Sequence, residues 1–382
     1  MKIAFIPSTY FPFIGGMEVQ THNLANELVK KKNEVDIILF KKLNIKSKYQ
    51  IAYFNTILVN FIYYFKYYMS INLDFIMTLY LKDKIKKYDL LHFQSLNYKT
   101  LIILNSAKNN GAKILVTFHG ADIQINKKIG YGYRLDRKYD LYLRNSIKNI
   151  DCIQSISKTI TKDLIKLKIK KSKIFYLPNA IDYQKIISTK YTHNDKKILK
   201  LLIVARYAEL KKGFDKVLPL TKKLIKLNVN FIWLIAGNKT EKLLKNSYIN
   251  KNKKYFKFFS EIKNKSEYNF PPKKLIEIYK KSDLYINLAR IESFGVTMLE
   301  AMSCGVPVIT YDTKGGNEIV INNYNGFLIK KNNIKILAEK IKAVSRSKKI
   351  SILKVNCIKF ASRFDIKKIT KDLINQYKKI SN

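Results

Sequence analysis

The sequence predicts an α/β protein built from two doubly wound parallel-sheet domains. Short apolar runs of strand length alternate with segments of helical period, and this alternation stops at a polar, charged interval before it starts again. A chain of 382 residues is also too long for one ordinary core. We therefore expect domains over 1–182 and 200–361, a linker over 183–199 and a final amphipathic helix over 362–382.

The apolar runs give the expected strands in order. In the first domain they are Ile3–Pro7, Val35–Phe40, Leu90–Phe93, Ile114–Phe118, Cys152–Ile156 and Ile174–Leu177. In the second domain they are Leu201–Ala205, Phe231–Ala236, Tyr255–Phe259, Leu284–Leu288, Val306–Thr310 and Gly326–Ile329. Helical patterns such as Met17–Lys32 and Tyr98–Asn109 separate them. Ligands are expected where the carboxyl ends of the strands of the two domains face each other.

Residues 49–81 form the longest apolar passage, and polar residues interrupt it too often for a membrane-spanning helix of ~20 apolar residues. We interpret the passage as two amphipathic helices. They either cover a sheet or form an interfacial surface for an anionic membrane. The flanking lysines favour the second interpretation and are Lys41, Lys42, Lys46, Lys48, Lys82, Lys84, Lys86 and Lys87.

The net charge of +45 is spread over both halves of the chain and comes mainly from lysine. It predicts a generic attraction to phosphates and anionic lipid, with low specificity. Cys152, Cys304 and Cys357 lie far apart without metal-ligand spacing and are interpreted as reduced core residues of a cytoplasmic protein. The first residues, MKIAFIPSTYF, are interpreted as a strand and not as a signal peptide. His193 is expected to be a solvated linker residue.

Residues 292–309, ESFGVTMLEAMSCGVPVI, carry two carboxylates separated by seven residues. Gly295 is expected to open a helix whose first N–H groups suit an anionic or hydroxylated ligand. Glu300 would lie inside that helix among apolar side chains, where a charge needs a partner such as a vicinal diol. The alternative for Glu292 and Glu300 is a solvated helix face or an ordinary ion pair.

Other candidates follow the ends of predicted strands. Gly15 and Gly16 would let backbone N–H groups approach a phosphate or sugar, although a glycine pair alone is usually a turn. His119 is either a ligand contact or a satisfied strand-end histidine. Arg206 and Lys212 could clamp a diphosphate and offset the charge on a leaving nucleotide. The chain has no D-x-D motif and no His/Asp/Glu cluster with metal spacing, so metal dependence is not predicted.

Several of these motifs resemble those of one family over nearly the whole chain and in the same order. They are Gly15-Gly16, VTFHG at 116–120, LPNAID at 177–182, VARYAELKKG at 204–213, ESFGVTMLEAMSCGVPVI at 292–309 and NGFLI at 325–329. The chain resembles the retaining GT-B glycosyltransferases of family 4, also called group 1. The resemblance implies transfer of a sugar from a nucleotide-diphosphate donor to an acceptor, with retention at the anomeric carbon and without a bound metal or other cofactor. It also implies two Rossmann-like domains facing across a cleft.

The resemblance assigns donor-site roles in the second domain. Glu300 would bind the donor ribose diol, and Glu292 would bind the transferred sugar beside the backbone of Phe294, Gly295 and Val296.

Further roles also follow from the resemblance. Arg206 and Lys212 would hold the diphosphate, and Gly15 and Gly16 would contact the donor phosphate or sugar. His119 would lie beside the reacting centre.

The resemblance makes the first domain the acceptor domain, makes the second the donor domain and has the last helix pack back toward the first. Three positions depart from the family pattern. Ala205 and Ala180 replace usual glycines, and Arg290 replaces a small polar residue and is expected to narrow or charge the sugar pocket.

The implied partners are a nucleotide sugar, carrying UDP or GDP, and a glycan or lipid-linked acceptor used in bacterial surface polysaccharide or lipopolysaccharide synthesis. The protein would then lie in the cytoplasm, on the inner face of the plasma membrane. Two alternatives remain open at this point. A GT-B nucleotide-sugar epimerase would bind the same donor, and a basic nucleic-acid-binding protein would show steep salt dependence, although no specific nucleic-acid motif is present.

Overall fold

The computed structural model describes residues 1–43, 45, 47–191, 198–260, 270–313, 315–330, 333–347 and 350–381. The chain divides into two compact units. The first contains Met1–Asn179 together with the last helix, from Ile366 onward, and the second contains the described residues between Ala180 and Asp365. The predicted linker contains a helix at Tyr183–Ser188, while residues 192–197, with His193, lie outside the described part of the chain, as does Lys46.

Each unit is built on one parallel sheet. The strands of the first unit are β1 (Lys2–Pro7), β2 (Glu34–Leu39), β3 (Gln50–Tyr53), β4 (Leu90–Gln94), β5 (Ile114–Phe118), β6 (Cys152–Ser155) and β7 (Ile174–Tyr176). Those of the second unit are β8 (Leu199–Val204), β9 (Phe231–Ala236), β10 (Phe256–Phe259), β11 (Leu284–Asn287), β12 (Val308–Tyr311) and β13 (Gly326–Ile329).

Helices follow most strands. In chain order they are α1 (Gly16–Lys30), α2 (Thr56–Tyr68), α3 (Asp74–Leu81), α4 (Tyr98–Asn109), α5 (Arg137–Ser146), α6 (Lys158–Lys166), α7 (Tyr183–Ser188), α8 (Glu209–Lys212), α9 (Val217–Lys226), α10 (Ser247–Lys251), α11 (Lys273–Lys280), α12 (Val296–Ser303), α13 (Gly316–Ile319), α14 (Ile334–Ser345), α15 (Ile350–Ala361) and α16 (Ile366–Ser381). Helix α16 belongs to the first unit and packs against α1.

The order of the strands creates one topological switch point in each sheet. The first sheet runs β3-β2-β1-β4-β5-β6-β7 and the second β10-β9-β8-β11-β12-β13, with parallel pairing throughout both sheets. The order reverses between β1 and β4 and again between β8 and β11, which are the topological switch points where such sheets bind ligands. Central strands such as β5 are buried along their whole length, which explains their continuous apolar sequence. The prediction of two doubly wound α/β sheets is confirmed.

Two local expectations were wrong. The passage 49–81 does not begin with a helix, because its first residues form the edge strand β3 and pair with β2 before α2 and α3 follow. Among the cysteines, Cys357 is buried, whereas Cys152 and Cys304 are only partly buried.

Candidate active site

The switch point of the second unit brings two loops together. The loop after β8 carries Lys212, and the loop after β11 carries Glu292, because β8 and β11 are neighbours in the sheet. The backbone N–H of Arg290 donates to the carbonyl of Lys211 at 3.0 Å. A side chain at Gly213 would come within 2.0 Å of the Leu288 carbonyl oxygen, so this contact requires glycine. The two loops are therefore docked by their main chains.

An ion pair joins the two loops at their tips. The Lys212 ammonium donates to Glu292 Oε2 at 2.9 Å, and both side chains are partly buried. Burial alone would raise the pKa of Glu292, but the Lys212 charge and hydrogen bond, together with Lys211, outweigh it and lower the pKa. Glu292 is therefore a carboxylate at neutral pH. Arg206 is exposed and lies two residues after the end of β8.

A second ion pair, between Arg290 and Asp215, joins the same two segments of the chain. Arg290 donates to both carboxylate oxygens of Asp215, at 2.7 and 2.6 Å, and to the carbonyl of Leu210 at 2.7 Å. This two-pronged geometry is the strong form of an arginine–carboxylate pair. The charge of Arg290 is therefore compensated within its own loop pair, which corrects the expectation that it charges the sugar pocket. Its described contacts tie the loop before Glu292 to residues on both sides of Lys212.

The turn into α12 presents backbone donors next to Glu292. Gly295 takes a left-handed conformation, with φ of 103°, that favours glycine, and the helix begins at Val296. The side chain of Phe294 is buried and packs on Phe364, so this residue can offer only its backbone to a ligand. The first N–H groups of a helix have no acceptor within it. A side chain at Gly295 would come within 3.7 Å of Glu292 Cγ, so the turn before α12 lies beside the Glu292 side chain.

Glu300 is buried in the second turn of α12, and only 6% of it is exposed. Its Oε2 accepts a hydrogen bond from the Tyr279 hydroxyl at 2.7 Å. Burial raises the pKa of Glu300 to about 7, against the lowering effects of the Tyr279 hydrogen bond and the Lys185 charge. Tyr279 was missed from sequence because it lies 21 residues away on α11, where helical spacing marks only a buried position.

Lys216 is a further buried group that the sequence did not single out. It lies under the Tyr311 ring, with the ammonium 4.1 Å from the ring centre, and its Nζ is 3.4 Å from the Leu288 carbonyl oxygen. Burial, assisted by the charge of Arg290, lowers the pKa of Lys216 to about 8, although Asp215 opposes the shift. Lysine abundance hid this residue, since any one lysine in such a sequence is most simply read as surface charge.

The first unit carries the other predicted residues. Gly15 caps α1, and a side chain there would come within 2.5 Å of Glu18 Oε2, whereas Gly16 has open space around it. Glu18 is buried and accepts a hydrogen bond from the Thr9 hydroxyl. The start of α1 is thus packed closely on one side and open on the other.

His119 follows β5, is partly buried and lies at the end of a chain of buried polar groups. Its Nε2 lies 2.9 Å from Gln94 Oε1, and Gln94 Nε2 lies 3.0 Å from His92 Nε2. His92 Nδ1 lies 2.7 Å from the hydroxyl of Tyr377 on α16. With the amide oxygen as acceptor, His119 carries its proton on Nε2 and keeps a lone pair on Nδ1. Burial lowers the pKa of His119 to about 3, so the ring is neutral at physiological pH.

The predicted residues thus fall into one group in each unit. The second unit brings together Lys212 and Glu292 and places the backbone of residues 294–296 beside them, with Glu300 further along the same helix. The first unit holds Gly15, Gly16 and His119 after strands of its own sheet. Across the described ranges, no group of three or more His, Cys, Asp and Glu side chains could hold a metal ion.

This fold and these motifs define a two-unit α/β protein that carries its candidate site residues in loops at the strand ends of both sheets. Two family models match consecutive parts of the chain. Glycosyltransferase Family 4 matches residues 14–185, and Glycosyl transferases group 1 matches residues 184–364. The chain belongs to the family 4, group 1 glycosyltransferases, and it is therefore a transferase.

Relatives in sequence are also glycosyltransferases, and solved structures share the fold. The chain is 24% identical to an uncharacterised glycosyltransferase of Methanocaldococcus jannaschii, over all of this chain and 99% of the relative. It is also 24% identical to the Escherichia coli UDP-Gal:alpha-D-GlcNAc-diphosphoundecaprenol alpha-1,3-galactosyltransferase, over 74% of this chain and 73% of the relative. The structure of Anabaena Alr3699/HepE in complex with UDP matches with a TM-score of 0.73 at 15% identity, covering 99% of this chain and 100% of that one.

Proposed function

We propose that this glycosyltransferase moves a sugar from a nucleoside-diphosphate sugar to a glycan or lipid-linked acceptor, with retention at the anomeric carbon and without a metal ion. The observation that carries the proposal is the ion pair between Lys212 and Glu292, whose Nζ and Oε2 atoms are 2.9 Å apart. It places a cation and a carboxylate side by side at the strand ends of the donor unit. A sugar diphosphate offers both of them a partner, since its phosphates are anionic and its sugar carries hydroxyl groups.

Lys212 and Arg206 supply the positive charge that the leaving group needs. When the bond between the anomeric carbon and the diphosphate oxygen breaks, the electron pair stays on the diphosphate. A cation fixed beside that oxygen stabilises the transition state more than the ground state. Glu292 holds Lys212 in place beforehand, so little reorganisation is required when the donor binds.

Retention requires the acceptor to approach the face from which the diphosphate departs. The acceptor hydroxyl oxygen forms the new bond to the anomeric carbon, and its proton passes to the departing diphosphate oxygen. In this proposal His119, neutral and with its Nδ1 lone pair available, orients the sugar beside the reacting centre. Gly15 and Gly16 let the start of α1 approach the donor.

The rest of the donor is held by α12. The backbone N–H groups at residues 294–296 donate to the sugar or phosphate, and Glu292 accepts from sugar hydroxyls. Glu300 accepts from both hydroxyls of the ribose, which explains why a carboxylate is kept inside an apolar helix.

The acceptor class is supported by the relatives and by the chain's charge. The Escherichia coli relative acts on a sugar diphosphoundecaprenol, which is a lipid-linked diphosphate. A chain with a net charge of +45 attracts such anionic acceptors. We assign the reaction to the assembly of bacterial surface polysaccharide or lipopolysaccharide, at the cytoplasmic face of the membrane.

The test is a screen of UDP- and GDP-sugars with glycan and polyprenyl-diphosphate-sugar acceptors, run with and without a chelator. The expected result is release of one nucleoside diphosphate together with an acceptor product, at the same rate in both conditions. A chelator-sensitive reaction would contradict the metal-independent part of the proposal. Conversion of the nucleotide sugar into its epimer in the absence of acceptor would contradict the transfer itself.

A further inference from the structure

Helices α2 and α3 carry large apolar side chains on their solvent-facing sides. On α2 these are Ile57, Phe61, Tyr64 and Tyr68, at spacings of four, three and four residues, which places them along one face. Phe75 and Leu79 repeat the pattern on α3. Exposure reaches 82% for Ile57 and 67% for Leu79. We call this set of six residues the aromatic stripe.

The stripe is not a misplaced core face. The opposite side of α2 is already buried through Val59 and Ile62, and that of α3 through Met77 and Leu81. Both helices pack against α4. Each helix therefore has its own core contact and still presents a second apolar side. An exposed apolar patch of this kind marks an interaction surface.

Positive charge borders the stripe. The Lys99 ammonium lies over the Tyr63 ring and donates to Asn60 at 2.6 Å, and the Lys138 ammonium lies over the Tyr67 ring. Lys84 lies over the ring of Tyr80 on α3. These lysines come from other segments and converge on the two helices.

The net charge around the aromatic stripe stays positive although two acidic residues contact α2. Asp74 forms an ion pair with Lys66, and both side chains are largely buried. Asp136 accepts a hydrogen bond from the Tyr67 hydroxyl and also caps α5. Asp74 therefore adds no net negative charge at the surface, and the single charge of Asp136 is outnumbered by the bordering lysines.

We propose that the aromatic stripe is a docking surface for an anionic phospholipid bilayer. Phenylalanine, tyrosine, leucine and isoleucine on one helix face with lysines around it are the composition of helices that lie in the headgroup region. A second copy of the chain is a poorer partner, because both copies would bring a lysine border and a net charge of +45.

The length of α2 determines how the aromatic stripe would be oriented relative to the bilayer. Helix α2 has 13 residues and is therefore only about 20 Å long, shorter than the ~30 Å hydrocarbon core. Among the described helices, none is long and apolar enough to cross a bilayer. The stripe therefore lies along the membrane surface and inserts side chains only. The surface is independent of the donor chemistry; it deepens the membrane location in the proposed function, and vesicle binding without a sugar substrate tests it separately from the transfer reaction.

The test is co-sedimentation of the full chain with two kinds of vesicle, without any sugar substrate. One contains phosphatidylcholine with phosphatidylglycerol and the other phosphatidylcholine alone. The wild-type protein should sediment with the anionic vesicles. The double variant Ile57→Ser/Leu79→Ser should bind them about tenfold more weakly, because it lacks two apolar side chains that would transfer from water into the bilayer on binding.

A matched control replaces two exposed aliphatic side chains on a helix of the other unit. Ile352 and Val355 on α15 are 62% and 65% exposed, and Ile352→Ser/Val355→Ser should bind vesicles like the wild type. Unchanged thermal midpoints would establish that both variants fold. The proposal is overturned if the wild type ignores anionic vesicles or if both double variants bind equally well. A wild-type dimer that only Ile57→Ser/Leu79→Ser dissociates, without vesicle binding, would instead assign the stripe to a second copy.

Discussion

The Lys212 ammonium and the Glu292 carboxylate, 80 residues apart in sequence, lie 2.9 Å from each other at the strand ends of the second sheet. The pair keeps Glu292 ionised and holds Lys212 in one position. Preorganised charge of this kind is what a reaction that expels a diphosphate requires.

Replacing Lys212 should affect the chemical step most strongly. Lys212→Ala should lower kcat by about 100-fold or more, as expected when one fixed group that stabilises the leaving charge is lost. Lys211→Ala removes the same charge one residue earlier but leaves the ion pair, and should change kcat only a few-fold. Steady-state kinetics on both variants tests this. Equal losses in the two variants would show that general positive charge, and not the position of Lys212, matters.

Donor affinity should depend on the protonation of Glu300. Because burial raises its pKa to about 7, the group is protonated below that pH and loses capacity to accept from the ribose hydroxyls. Binding of UDP or GDP should therefore weaken as the pH falls through about 7, by about tenfold per unit once the carboxyl is mostly protonated. Calorimetric titrations of wild type and Glu300→Gln over this range measure the effect.

The Glu300→Gln variant also serves as the control for the ligand. It should bind more weakly at high pH and lack this component of the pH dependence, whereas the titration of the diphosphate itself is common to both proteins. If the two proteins show parallel pH profiles, Glu300 does not contact the nucleotide in its ionised form.

The Arg290–Asp215 pair should act by positioning the Lys212–Glu292 pair. Arg290→Ala should lower kcat about tenfold while leaving the fold intact, because an ion pair that is partly exposed contributes only about 1 kcal/mol to stability. The charge-swapped double variant Asp215→Arg/Arg290→Asp should recover part of the loss that each of its single variants, Asp215→Arg and Arg290→Asp, shows. Rates and thermal midpoints of the wild type, these two single variants and the double variant form a double-mutant cycle. Additive effects would argue against coupling.

Gln94 should set the tautomer of His119. In Gln94→Leu the Nε2 proton of His119 loses its acceptor, so the ring should populate both tautomers, and kcat should fall about tenfold if an oriented ring is needed. Nitrogen-15 spectra of labelled histidine report the tautomer directly. A single unchanged tautomer in the variant would assign that role to another partner of the ring.

Local patterns were sufficient for most of the fold. Continuous apolar runs located strands such as β5 and β9 at their observed bounds, because strands buried on both faces have little polar sequence. The edge strand β3 was missed because its residues lie at the start of the long apolar passage 49–81, where the sequence does not separate a short, partly exposed strand from the helices that follow. The prediction of a helical 49–81 passage therefore failed only at its start.

The sequence predicted the site residues that belong to recognisable motifs and missed those that do not. Lys212 and Glu292 were placed in one site from sequence, and the structure brings them into contact. Tyr279 and Gln94 were not predicted, because each meets its partner over 21 or 25 residues through the fold and neither stands in a distinctive sequence. The pairing of Arg290 with Asp215 likewise depends on loop docking that no local pattern reports.

The anomeric configuration of the product tests the central claim most directly. Proton NMR of the purified product, formed from an α-linked nucleotide sugar that the wild-type protein accepts, should show an α linkage, and Lys212→Ala should form little of it. A β-linked product, or an α-linked product formed by Lys212→Ala at the wild-type rate, would contradict retaining transfer supported by the Lys212–Glu292 pair.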